Sequence, residues 1–473
     1  MFDVAVIGAG VIGAMIAREL ARYDLRVAVL EKEADAAAGA SRANSGIVHA
    51  GFDAAEGSLK AKFNVEGNRL MAGVCEELGV EYKNNGSVVL AFGKEQEGTL
   101  HTLLRRGEAN GVKGLKILSR EELFEREPNV SRNATAALFA PTGGIVCPYG
   151  LTFAALGNAM DNGAEFFPDF ELVRAEKGDT LRLFSADGRE IEAKYAVNCA
   201  GAGAAKIARL FGDTSFTIGA RKGEYILLDS AADGLVKSTV FTVPTAAGKG
   251  VLVTPTVDQN VLIGPTSVEE NTFETSIRRA AFAELISKAK AMCENIPFGE
   301  TITSFAGVRA YCDRHDFILE ESAAAPLFNA AGIESPGLTS APAIGRYVAG
   351  KTAARLGAKR KENFSPKRKS YFFFRRLPDE KKNEIIAADP DFGKIVCRCE
   401  SVTLGEILYA LRANPPARTI DGMKLRTRAG MGRCQSGFCQ PSVLETICKE
   451  RGIGPLEVTK NGKHSEIIAG GEI

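Results

Sequence analysis

Four of the ten cysteines stand in two tight groups near the C-terminal end, Cys397-Arg-Cys399 and the pair Cys434 and Cys439 with four residues between. Thiolates are soft ligands that suit zinc or an iron–sulfur cluster, and the glycines of "TRAGMGRC" let backbone amides approach sulfur. C-x-C spacing is unusual for structural zinc, whose paired cysteines are usually two to four residues apart. The four are therefore candidate ligands of an iron–sulfur cluster, with zinc or an empty thiol set as alternatives. Arg398, Arg426, Arg428 and Arg433 can offset the negative charge of four thiolates, or be ordinary surface arginines. The scattered Cys75, Cys147, Cys199, Cys293, Cys312 and Cys448 read as small buried apolar residues.

A second constellation opens the chain. Gly8, Gly10 and Gly13 form G-x-G-x-x-G directly after the β-branched run of residues 4–7 and before the helical stretch "VIGAMIARELAR". A second apolar run ends in Glu31, which stands 21 residues after Gly10 and completes a βαβ unit. The glycines allow the backbone to approach a pyrophosphate at the helix N-terminus, where unpaired amides and the dipole favour anions, and Glu31 can accept from ribose hydroxyls. This fingerprint points to a dinucleotide without deciding between NAD and FAD. The segment from Gly39, "GASRANSGIVHAGFDAAEGSLKAKF", is rich in small and polar residues and suits a loop laid along an extended cofactor.

The elements that must hold these groups follow from pattern and length. At 473 residues two or three domains are expected. A composition 45% hydrophobic and 25% charged, with 50 glycines, reads as α/β protein rather than membrane or disordered chain. The formal net charge of +1 gives no overall support for binding nucleic acid or an acidic membrane. A strand that starts almost at Met1 leaves no room for a signal peptide, so a cytoplasmic protein is expected. "YAVNCAGAGAAKIARLFG" and "LFNAAGIESPGLTSAPAIGRYVAG" each read as strand, glycine turn and helix, with Asn198, Gly201 and Gly203 at the first bend. "RKGEYILLD" and "GVLVTPTVDQNVLIGPT" suggest an antiparallel sheet. From Lys359 a basic run with a small aromatic cluster marks a junction.

The second cofactor segment resembles that of the D-amino-acid oxidase-like FAD oxidoreductases. "NSGIVHAG" and "GSLKAKF" are especially similar to L-2-hydroxyglutarate dehydrogenases, the first also to glycerol-3-phosphate dehydrogenases. The cysteine module resembles the bacterioferritin-associated-ferredoxin-like [2Fe–2S] domain, with a wider second pair than the archetypal C-x-x-C. Across nearly its whole length the chain is similar to the family of large, FAD-containing subunits of anaerobic glycerol-3-phosphate dehydrogenases.

The resemblance implies an α/β fold in seven segments. A Rossmann-like FAD domain is split over 1–79, 196–216 and 326–358, and an antiparallel-sheet substrate domain is interleaved over 80–195 and 217–325. A basic linker spans 359–393 and a small helical iron–sulfur domain 394–473. It implies FAD contacts from Gly8, Gly10, Gly13, Glu31, Ser41, Asn44, Ser45, Gly46, Val173, Gly201, Gly203, Gly337, Leu338 and Thr339, with the last two amides near the flavin pyrimidine. Arg309 matches the arginine of the family's G-V-R segment, which faces the substrate anion; read alone it is as readily a surface ion pair with Asp313 or Asp316. His49 suits taking a hydroxyl proton as the neighbouring hydrogen leaves as hydride, or merely bonds the cofactor. His101, His315 and His464 read as surface or structural.

The expected activity is FAD-dependent dehydrogenation of a small anionic 2-hydroxy compound, sn-glycerol 3-phosphate first and L-2-hydroxyglutarate second, with electrons leaving through Cys397, Cys399, Cys434 and Cys439. A non-catalytic electron-transfer subunit is the alternative from another class. The expected partner is a flavoprotein or electron-acceptor subunit, with no nucleic acid and at most peripheral contact with the inner face of the membrane.

Overall fold

Strand Phe2–Ile7 is buried at every position but one and lies between Val27–Leu30 and Glu190–Asn198, parallel to both. Continuous apolar runs of this kind are what a parallel sheet covered on both faces requires. The computed structural model describes residues 1–244, 250–270, 272–368 and 373–468. Tyr371 and Phe372 of the expected aromatic cluster, and the last five residues of the C-terminal segment, fall outside them.

The sheet extends through Glu165–Phe167, also parallel, on one side, and through the antiparallel strands Leu181–Ser185 and Leu172–Lys177 on the other. Leu327–Ala331 pairs with the C-terminal half of Glu190–Asn198 and carries Ile318–Glu321 outside it. The stretches 80–195 and 217–325, expected to belong wholly to the interleaved domain, are therefore divided between two sheets. Residues 165–195 and 318–321 join the first sheet because their strands hydrogen-bond to its members.

Helices Val11–Leu20, Leu59–Leu78, Pro148–Asp161 and Gly337–Leu356 pack together against this sheet around one core. Leu59–Leu78 starts where the Ser58 hydroxyl accepts from the Ala61 amide and stops at Gly79 in the left-handed region.

The second sheet has nine strands. Its spine is the ladder of Ile218–Leu228 with Thr301–Cys312, antiparallel from Ile218 opposite Cys312 to Leu228 opposite Thr301. Leu252–Pro255 and Val261–Gly264 form the expected hairpin. One pair, Ser87–Ala91 with Thr239–Thr242, is parallel in an otherwise antiparallel sheet.

The C-terminal segment is built from short helices Leu404–Arg412, Ile420–Thr427 and Gln440–Arg451 around its own apolar cluster. Among the described residues no helix is long and apolar enough to cross a membrane.

Candidate active site and four-thiol centre

The turns at the ends of the parallel strands open into a cavity of about 1380 Å³, wide enough for an extended dinucleotide and a small substrate. Gly8, Gly10, Glu31, Ser41, Asn44, Ser45, His49, Gly201, Gly203, Arg309, Gly337 and Leu338 line it. Three expected contacts stand behind the wall instead. A side chain at Gly13 would meet the Gly8 carbonyl oxygen at 1.9 Å, so Gly13 brings helix against strand. Gly46 turns the loop under Val146, and Thr339 is fully buried. Val173 departs furthest: its side chain is 41% exposed at a register shift of the edge strand, while its neighbours Phe170, Glu171 and Leu172 line the cavity.

The first strand–helix turn is tied by side chains. Glu31 accepts from the amides of Ala9 at 2.8 Å and Glu33 at 3.0 Å. Burial pushes its carboxyl up against the pull of those donors. The Ser41 hydroxyl accepts from the Val11 amide at 2.9 Å, and Asn44 closes its own turn by accepting from Gly46. Asn198 is buried and donates to Asn329 at 3.0 Å, which ties the second cofactor turn to the strand leading into the third.

His49 follows strand Ile47–Val48 directly. Its amide donates to the Thr339 hydroxyl at 2.9 Å, and its carbonyl accepts from Asn64 at 2.7 Å and Asn68 at 3.1 Å. The ring nitrogen Nε2 lies 3.4 Å from the Ser335 hydroxyl. Helix Gly337–Leu356 points its first turn at the cavity. Its first intrahelical bond, from the Ser340 amide to the Pro336 carbonyl, leaves the amides of Leu338 and Thr339 without an intrahelical acceptor.

Arg309 stands directly across the ladder from Arg221, and both line the cavity. Like charges in such register repel unless each finds a partner. Arg221 finds two, Glu269 at 2.7 Å and Glu334 at 3.1 Å, and Glu334 also takes Lys60 at 2.9 Å. Arg309 donates only to the Thr266 carbonyl at 3.1 Å, and its buried Nε has no acceptor among the described residues. The alternative partners are engaged elsewhere: Asp313 accepts from Thr217, and Asp316 from the amides of Leu59 and Lys60.

Arg221, Lys60, Glu334 and Ser335 are site residues that the sequence reading did not assign. Ser335 was within reach, because it opens the quoted "SPGLTS" loop. His315, read as surface or structural, lines the cavity.

Cys397, Cys399, Cys434 and Cys439 come together as two hydrogen-bonded pairs, Cys399 with Cys434 and Cys397 with Cys439. Among the described residues no three His, Cys, Asp or Glu side chains converge where a single metal ion could sit. Two pairs suit a two-iron cluster, in which each iron needs two protein sulfurs. A side chain at Gly432 would meet the Cys399 Cβ at 2.4 Å, so the loop approaches the first pair only because this residue is glycine. Burial alone would raise the Cys434 thiol. The Cys399 thiol and the amides of Phe438, Ser436 and Gly437 instead hold it lowered, as donors around a thiolate should. Burial and the adjacent Cys397 push Cys439 up to about 12.

Two of the arginines expected near the thiols do other work. Arg426 is buried and holds Asp35, just past Glu31, through two bonds of 2.6 and 2.8 Å, with its guanidinium 3.9 Å from the Phe153 ring. Arg428 is buried between Asp258 at 2.8 Å and Glu400 at 2.7 Å. Neither is a surface arginine; both fasten the C-terminal segment to the body.

The FAD dependent oxidoreductase family matches residues 3–351, and the BFD-like [2Fe-2S] binding domain matches residues 395–448. A glycerol 3-phosphate dehydrogenase of Caloramator mitchellensis is 46% identical over 99% of this chain and 98% of its own length. An L-2-hydroxyglutarate dehydrogenase of Escherichia coli O17:K52:H18 is 33% identical over 57% of this chain and 64% of its own. Among solved structures, the dithionite-reduced L-alpha-glycerophosphate oxidase of Mycoplasma pneumoniae with FAD bound superposes with a TM-score of 0.73 at 29% identity, over 78% of this chain and 98% of that one.

Proposed function

The chain belongs to the FAD dependent oxidoreductase family, and on that premise we propose that it oxidises sn-glycerol 3-phosphate to dihydroxyacetone phosphate. Bound FAD supplies the two-electron acceptor for the hydride that leaves the substrate carbon. The protein's part is to hold, orient and deprotonate. Gly8, Gly10 and the first helix N-terminus receive the pyrophosphate, and Glu31 the ribose. The loop of Ser41, Asn44, Ser45 and Gly46 and the turn of Gly201 and Gly203 cradle the extended cofactor. The amides of Leu338 and Thr339, which have no intrahelical acceptor, would stabilise negative charge on the flavin.

Arg309 takes the substrate phosphate. On the ladder that crosses the cavity it is the guanidinium with no carboxylate partner among the described residues, whereas Arg221 opposite it is matched by Glu269 and Glu334. His49, fixed through its backbone by Thr339, Asn64 and Asn68, accepts the hydroxyl proton at Nε2. Cys397, Cys399, Cys434 and Cys439 hold the [2Fe–2S] cluster, which supplies a one-electron exit toward a partner acceptor protein. The protein works in the cytoplasm and meets the membrane at most peripherally, through that partner.

The near full-length similarity to a glycerol 3-phosphate dehydrogenase carries this reading. The similarity to L-2-hydroxyglutarate dehydrogenases over more than half the chain supports a second one, since a guanidinium binds carboxylate as readily as phosphate. Anaerobic mixing of the yellow holoprotein with each compound separates them. Bleaching by sn-glycerol 3-phosphate at micromolar to millimolar concentration is expected; bleaching by L-2-hydroxyglutarate alone would transfer the assignment, and bleaching by neither would remove both.

A further inference from the structure

Phe438 is 86% exposed, more than any other large apolar side chain among the described residues. It stands between two of the four thiols, next to Cys439, with its amide directed at the Cys434 sulfur. A phenyl ring left in water adds no buried area to the fold, and this one is set beside two of the thiols. Two further features stand beside the same four thiols in the chain. Cys399 is exposed whereas Cys397 and Cys439 are buried, so the thiol centre meets solvent on the side of Cys399. Arg398, between the first two cysteines, is exposed, and its guanidinium has no partner among the described residues. Ile395, two residues before Cys397, adds a side chain 52% exposed. Residues 394–468 hold twelve Lys and Arg against seven Asp and Glu, although the whole chain has a net charge of only +1. Of the twelve, Arg418, Arg426, Arg428 and Arg433 are paired with carboxylates of the body, so the cation presented beside the thiols is Arg398.

We propose that Phe438, Ile395, Arg398 and the exposed edge of Cys399 form the docking patch for a soluble one-electron carrier protein with an acidic rim around an apolar cofactor edge. The inference rests on the function proposed above and names the chemistry of its partner. Electron tunnelling demands close approach to the cluster, and on this side close approach means covering Phe438. Charge complementarity steers the encounter and the ring is the apolar anchor. Each substrate oxidised releases two electrons and two protons. Two carrier molecules each gain one electron, and the protons go to solvent.

The test uses the complete holoprotein, reduced anaerobically with substrate, and two haem carriers of opposite charge: an acidic b5-type and a basic c-type cytochrome. Stopped-flow absorbance follows flavin bleaching and haem reduction separately. The acidic carrier should be reduced at least tenfold faster than the basic one at 20 mM salt, an advantage lost by 500 mM. F438S and R398Q should each slow its reduction at least threefold at low salt, with flavin bleaching and the visible iron–sulfur spectrum unchanged. Equal rates with both carriers, or unchanged rates in both variants, would overturn the docking patch while leaving the substrate assignment intact. Failure of the flavin to bleach in the parent protein would strike the underlying reading instead. Co-sedimentation with phosphatidylserine–phosphatidylcholine vesicles that F438S abolishes, without any preference for the acidic carrier, would assign the ring to a lipid surface. A dimer in sedimentation velocity that F438S dissociates would assign it to a second copy of this chain.

Discussion

At the scale of single residues, the cavity is decided by which charges are already satisfied. Two guanidiniums face each other across one ladder, and carboxylates quench Arg221 but not Arg309. The proposed function places the substrate anion where Arg309 lacks a carboxylate partner. Charged hydrogen bonds of this kind contribute about 1.5–3 kcal/mol, so Arg309→Ala should lower kcat/KM by roughly ten- to a hundredfold, mostly through KM. Arg309→Lys should recover only part, because a point charge replaces a planar fork. Steady-state kinetics with an artificial acceptor decides this; an unchanged KM in the alanine variant would remove Arg309 from substrate binding. Buried thiols give a second residue-scale outcome. Burial pushes Cys75 and Cys293 up to about 12 from an ordinary 9.0. Their folded-state values lie above the unfolded ones, so the stabilisation is complete below pH 9 and is lost as pH rises toward 12. The slope is about 1.4 kcal/mol per pH unit for each thiol. Denaturant unfolding at pH 8 to 10.5 should show this decline, and it should be shallower but still present in the Cys75→Ala, Cys293→Ala double variant, because burial also raises Cys147 and Cys199.

Between elements, the fastening of the C-terminal segment to the body is the least expected feature. Arg426 lies on helix Ile420–Thr427 and Asp35 just beyond the strand that ends at Leu30, so a buried two-bond ion pair joins the cluster segment to the cofactor loop. Removing one partner of a buried pair leaves an uncompensated charge and costs about 3–5 kcal/mol, whereas replacing both with apolar groups can be nearly neutral. Arg426→Ala should accordingly expose the 359–393 junction to trypsin and separate the thermal transitions of body and cluster segment, while Arg426→Met with Asp35→Leu should behave nearly as the parent. If Arg426→Ala keeps one transition and resists trypsin, the pair does not hold the segments together. The same contrast explains what the sequence could disclose. The G-x-G-x-x-G turn with Glu31 and the set of four cysteines were legible because local spacing encodes the turn and each cysteine doublet, whereas the pairing of Cys399 with Cys434 and of Cys397 with Cys439 crosses the doublets and was not. Arg426 with Asp35, separated by 391 residues, carried no local signal. Nor did Arg221, which sits in a strand pattern where its partner Glu334 belongs to a different sheet's loop. The sequence carried no signal that the Val173 side chain is exposed at a register shift while Phe170, Glu171 and Leu172 line the cavity.

For the whole molecule, an FAD oxidoreductase body and a BFD-like [2Fe-2S] binding domain stand on one chain, and the proposed function has the body remove a pair of electrons and the tail pass them on singly. The contacts between them are continuous. The Val146 amide donates to the Gly46 carbonyl behind the cavity at 2.8 Å, and Tyr149, three residues on, lies 3.7 Å from the Met431 sulfur, which precedes the second thiol pair. Body and tail are therefore coupled through packed protein, and either half-reaction should run without the other. Cys434→Ser removes a thiol that accepts from the amides of Phe438, Ser436 and Gly437 and leaves every cavity residue in place. Anaerobically purified, this variant should lose iron and the iron–sulfur absorbance, keep its yellow colour, and bleach with substrate at a rate within about threefold of the parent, as expected for a site acting after the chemical step. Reduction of a protein carrier should fall at least a hundredfold, because the bleached flavin then has no one-electron exit near the surface. Iron analysis, flavin bleaching and carrier reduction on one preparation decide the matter. If the iron-free protein reduces the carrier as fast as the parent, the thiol centre is no relay and electrons leave directly from the cavity.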